Sequence, residues 1–212
     1  MNRRELSARL ADGPDHTALR GWARGVLTRA AEGTGVPAVH HPLGFVCLPV
    51  ERTGGDGVCV HVWSPRLPEA ATSTSGVHCH SWDLVSYVLT GEIGNRLPDV
   101  RPVARGPTHR LFEVVSSPAG DDLRPTGRTV RQGPGVTERH GPGAVYRLPA
   151  GVFHESVVPD GGCTATIALG SETPGVPDLT LGPLDGARHH VTRPECGDTT
   201  LRLVARAALD GL

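Results

Sequence analysis

Three histidines carry the strongest chemical signal in this 212-residue chain. His78 and His80 flank Cys79 just ahead of an apolar run that ends at Gly91. Alternate residues of a strand point to one face, so a His-x-His pair offers two imidazoles to one metal ion without unusual backbone geometry. On its own such a pair is more often a pair of surface residues beside a loop. A second element shifts that balance. The segment from Gly143 to His154 reads as a strand, a Pro149-Ala150-Gly151 turn and a new strand that starts with a histidine. Proline supplies the fixed φ of such a turn and glycine the tolerance for φ > 0. An inward His154 is expected to meet the first pair.

Together these residues resemble the two motifs of the cupin superfamily. The second motif, Gly-(x)5-Pro-x-Gly-x-x-His, is matched at Gly143, Pro149, Gly151 and His154, with Val158 where a terminal Asn is common. The first, His-x-His-(x)3-Glu-(x)6-Gly, is matched at His78, His80 and Gly91, but Leu84 holds the Glu position and Thr72 that of the leading Gly. The resemblance covers about residues 44 to 170. It implies a mainly β, cupin-type double-stranded β-helix, a jelly-roll barrel, with a metal inside on His78, His80 and His154. Leu84 cannot coordinate, which leaves three neutral nitrogens and no carboxylate. Asp83 is turned away from the metal by strand alternation, and only a bulge would bring it in; it is read as a supporting or turn residue.

Three-histidine cupins include thiol dioxygenases and β-diketone dioxygenases, which use Fe(II) and O2. Three facial imidazoles leave open positions for a chelating substrate and O2, and an uncompensated 2+ ion favours anions. The resemblance therefore implies an O2-dependent Fe(II) oxygenase acting on a small carboxylate- or thiolate-bearing molecule. Thiol dioxygenases carry a Ser-x-His-x-Tyr network after the third ligand. Here the nearest stretch is Thr166-Ile167-Ala168-Leu169-Gly170, which makes cysteine itself a doubtful substrate. Two other readings stay open: an O2-independent isomerase, lyase or decarboxylase using Zn, Mn or Ni as a Lewis acid, and a binding cupin without catalysis.

Four further residues are candidates for work on substrate. His61 shares one face of its strand with Cys59 and Trp63, and if that face is interior it could orient substrate or donate a proton. Arg96, Arg147 and His140 flank the motifs, and a guanidinium can hold a carboxylate with two parallel bonds. Ser86 is expected to point inward and Tyr87 outward, as packing. Cys79 should face away from the ligands. His40-His41 and His189-His190 are adjacent pairs whose side chains diverge, so they make poor chelates.

Several elements must position these groups. Leu6, Leu10, Leu19, Trp22, Val26 and Leu27 predict two short helices within residues 2–32, broken at Asp12-Gly13-Pro14. Seven short Val- and aromatic-rich runs predict strands at 44–50, 57–63, 85–90, 111–116, 144–148, 155–158 and 164–169. Ser64–Gly76 and Ser117–Gly127 read as mobile loops, 171–199 as an irregular excursion, and 200–209 as either helix or strand. The expected organisation is a helical arm over 1–42, the barrel over 43–170, and a C-terminal extension over 171–212 that packs on it.

Composition narrows the function classes. The chain has 28 glycines and 19 prolines, about 22% against the usual ~12%, which argues against a helical bundle. All 21 basic residues are arginine, so Schiff-base, pyridoxal-anchoring and P-loop lysine chemistries are excluded. A net charge of −1 gives no broad basic surface for nucleic acid. Five widely spaced cysteines without a Cys-x-x-Cys pair read as reduced thiols. Neither a signal peptide nor a membrane span is evident, so a cytoplasmic protein is expected. A homodimer through the N-terminal arm, and a place in secondary metabolism, are further expectations.

Overall fold

The computed structural model describes residues 1–11, 13–67 and 72–212. Asp12 of the expected helix break, and residues 68–71 of the expected Ser64–Gly76 loop, lie outside the described residues. Among the described residues there are three helices: α1 (Arg3–Ala11), α2 (His16–Glu32) and α3 (Asp198–Asp210). The strands run in chain order as β1 (Val39–His41), β2 (Phe45–Thr53), β3 (Asp56–Trp63), β4 (His78–Cys79), β5 (Trp82–Thr90), β6 (Ile93–Pro102), β7 (His109–Ser117), β8 (Gly120–His140), β9 (Val145–Leu148), β10 (Glu155–Val157), β11 (Thr164–Glu172), β12 (Leu179–Gly182) and β13 (His189–Val191).

The strands form two antiparallel sheets. One has the order β1-β2-β3-β11-β5-β9 and the other β10-β6-β8-β7-β12-β4, with β13 added to β8. The sheets face each other without closing into one hydrogen-bonded barrel, so the observed architecture is a mainly β, two-sheet sandwich. The second sheet draws β12 and β13 from beyond residue 170, and the first takes β1 from before residue 43.

The helices cover the outer face of the first sheet. α2 starts where the Asp15 side chain accepts the Ala18 N–H (3.0 Å) and ends at Gly33 in the left-handed region. Its buried Leu19, Ala23, Val26, Leu27 and Ala30 join Leu201, Val204 and Ala208 of α3. Together they seal Val46, Leu48, Val58, Val60, Val62, Leu89 and Ile167 of the sheet. The segment at 200–209 is therefore a helix, because its apolar stripe has a sheet to cover.

All seven expected strands form. Two expected irregular regions are corrected. Ser117–Gly127 is a tight turn at Pro118-Ala119 followed by the start of β8, held by Ser117↔Gly120 pairing and by Asp122 ion pairs to Arg124 and Arg188. The stretch 171–199 contains β12, which pairs with both β7 and β4. The polar, Pro- and Gly-containing sequence hid the start of β8, while β12, buried along its whole length, is only four residues long and lies between proline-bearing segments.

Candidate metal centre

β4 and the start of β10 bring the motif histidines together. His78 N donates to His154 O (2.9 Å) and His154 N to His78 O (2.8 Å), a reciprocal antiparallel bridge. Gly151 N donates to His80 O (2.9 Å), so the Pro/Gly turn is tied to the His-x-His segment itself. Two glycines make this path feasible. Gly151 lies at φ 79° in the turn, and Gly91, at φ 73°, ends β5 where an added Cβ would lie 2.6 Å from the Cys163 carbonyl oxygen. Asp83 faces away from the histidines and accepts the Ala150 N–H at 2.8 Å, bracing the same turn. Leu84 packs with Leu148, Val88 and Tyr146 between the sheets.

The three rings converge. Their centroids are separated by 4.4 Å (His78–His154), 4.7 Å (His78–His80) and 5.0 Å (His80–His154). Each ring offers a nitrogen, and these atoms lie within 4.8 Å of one another. Because a carbonyl only accepts, His78 Nδ1–H donates to Gly76 O (2.8 Å) and His154 Nδ1–H to Val152 O (3.1 Å). Both therefore present the Nε2 lone pair, the tautomer a metal ligand requires. His80 is held differently, stacked on Trp82 at 4.0 Å and 19°. Burial holds all three imidazoles below their ordinary range, His154 down to about 3, with the neighbouring rings adding to it at His80 and His154. A neutral, convergent, oriented nitrogen set fits a divalent transition-metal ion.

The other candidates divide by face. His61 lies on the inner face of the first sheet, against Phe45 (4.6 Å) and Trp63 (5.9 Å). His140 stacks on Tyr146 at 4.8 Å and is inside too. Arg96 and Arg147 are not brought to the histidines. Arg96 sits opposite Glu155 and bonds it through Nε (2.7 Å), on the far side of β6 from Ile93, Asn95 and Leu97. Arg147 is exposed, on the opposite face of β9 from buried Tyr146 and Leu148. Strand alternation turns both guanidiniums outward. Tyr87 is fully buried under the helices with its OH at 2.9 Å from His16 Nδ1, and Ser86 faces inward, as expected.

Sequence reasoning missed three inner residues. Trp82 was legible, since it lies two places before Leu84 on the same face. Cys47 was not, because only the register of β2 on β3 sets it opposite His61. His41 is stacked on Phe45 at 4.2 Å, and burial, with Arg193, His61 and His78 nearby, holds its imidazole well below the usual range. By contrast His189 and His190 bond to Ser73, Ala187 and Ala119. Several buried atoms make no hydrogen bond among the described residues: Ser86 Oγ, both amide atoms of Asn95, Thr166 Oγ1 and His140 Nε2. Burial raises the Tyr146 phenol. Among the described residues no helix is long and apolar enough to cross a membrane.

No known protein family matches the sequence, and no curated protein matches it. Among solved structures, the chain is similar to the polyketide cyclase RemF from Streptomyces resistomycificus, with 17% identity over 73% of this chain and 83% of that one, at a TM-score of 0.40. It is also similar to FeII HppE, with 14% identity over 60% of this chain and 50% of that one, at a TM-score of 0.33.

Proposed function

We propose that this protein is a cupin-like, metal-dependent enzyme that holds Fe(II) on His78, His80 and His154 and carries out an O2-dependent oxidation of a small anionic molecule. The observation that supports this most is the convergence of three neutral imidazoles, two with Nδ1–H pinned to backbone carbonyls. Bound there, Fe(II) supplies open coordination positions, reactivity with O2 and a positive charge that no ligand carboxylate offsets. The chain does the rest. The Gly76 and Val152 carbonyls fix ring orientation, and Trp82 restrains His80. Ser86, Asn95 and Thr166 offer unpaired donors and acceptors to the polar part of a substrate. Leu84, Val88 and Leu148 keep water from the inner face.

Since Arg96 and Arg147 point outward, recognition of an anion falls on the metal and on these neutral groups. The test is anaerobic loading with Fe(II), then O2 uptake measured against a panel of small carboxylates and thiols. Substrate-dependent uptake that disappears in His80→Ala is expected. Turnover that persists without O2 would replace this reading with Lewis-acid chemistry on the same histidines. Tight Fe(II) binding with no uptake across the panel would count against oxygenase activity.

A further inference from the structure

A second set of ligating side chains occupies the same interior. Cys47 on β2 lies directly across from His61 on β3, and Cys59 precedes His61 by two residues on the same face. The two thiols and the imidazole offer atoms within 4.8 Å of one another. Cys47 is buried and the other two are half-buried. The His61 ring is wedged between Phe45 and Trp63, which fixes its direction. Thr166 continues the row on β11 opposite His61, and its buried hydroxyl makes no hydrogen bond among the described residues.

We propose that Cys47, Cys59 and His61 form a second metal site, for a thiophilic cation of the Zn(II) type, with its fourth position open to the inter-sheet space beside Thr166. The donor set suits it, because two thiolates and one imidazole with a free fourth position match a soft or borderline four-coordinate ion. Charge suits it as well. Two thiolates neutralise a 2+ ion, so this centre adds little repulsion to an uncompensated ion on His78, His80 and His154. Thiol ligands must deprotonate, so loading this site releases protons from Cys47 and Cys59. The site does not depend on the proposed oxygenase activity.

The test uses the reduced full-length protein loaded anaerobically with Co(II), a spectroscopic stand-in for Zn(II). A near-ultraviolet thiolate-to-cobalt charge-transfer band is expected. It should vanish in Cys47→Ser and in Cys59→Ser, with one metal equivalent lost, and persist in His80→Ala. Loss of the band in His80→Ala alone, or its survival in both serine variants, would overturn the proposal. X-ray absorption of the Zn(II)-loaded wild type needs no variant: sulfur scattering at about 2.3 Å is expected, and a shell of nitrogen and oxygen only would overturn it. A Cys47–Cys59 disulfide without bound metal in protein purified under reductant would overturn it too.

Discussion

The two faces of the first sheet have different chemistry. The outer face, Val46, Leu48, Val58, Val60, Val62, Leu89 and Ile167, is apolar and lies under three helices. The inner face, one residue out of phase on the same strands, carries Cys47, Cys59, His61, Ser86 and Thr166, two of them with unpartnered polar atoms. Unpaired buried polar groups are costly. The inner face is tolerated because the helix-covered face carries much of the hydrophobic stability. Stability and chemistry are thus divided across the thickness of one sheet, and substitutions on the two faces should separate them.

The largest stability effect is expected outside. Ile167→Ala removes a fully buried side chain beneath the helices and should cost about 2–5 kcal/mol in denaturant unfolding, with metal stoichiometry unchanged. On the inside, His80→Ala should cut affinity at the three-histidine centre by at least the ~100-fold seen when supporting groups around ligands are lost, read by metal titration. A loss of folding comparable to that of Ile167→Ala would erase the distinction between the faces.

Next comes pH. Burial holds the His154 imidazole near 3 in the folded chain against 6.5 when free. Below 6.5 the unfolded chain takes up the proton and the folded one does not, so metal-free protein should lose stability as pH falls from 6.5 toward 3. Each such group contributes a slope of up to about 1.4 kcal/mol per pH unit, measurable from urea midpoints. A metal-free protein equally stable across that window would contradict the buried, neutral histidine. Trp82→Ala should weaken metal binding by roughly tenfold through the freed His80 ring, with a small effect on folding. The smallest effect is expected at Arg147→Ala, which should change stability by less than about 1 kcal/mol and leave metal uptake intact.

Much of this division was legible in residue order. The glycine, proline and histidine spacing anticipated a turn that returns His154 to the first pair, and alternation separated Ser86 from Tyr87. The long strands β6 and β8 were not legible. They contain Pro98, Pro125, Pro134 and Gly135, which read as breakers. In the folded sheet Pro98 sits at a register shift, where a lost N–H does little harm, and Gly135 lies so close to the Leu97 carbonyl that a Cβ would clash at 2.1 Å. Arg96 and Arg147 show the converse. Nearness to a motif in sequence suggested a role, but one residue of offset on a strand sends a side chain to the other face.

Sequence alone determined what depends on local period and local φ: the two N-terminal helices, the seven apolar strands, the turn glycines and the facing of residues along those strands. Only the tertiary structure decided which strands lie side by side and in what register. That register is set by long-range pairing and by which face the helices seal. It places Cys47 across from His61, brings His41 and Trp82 to the same interior as the three histidines, and directs the arginines to solvent.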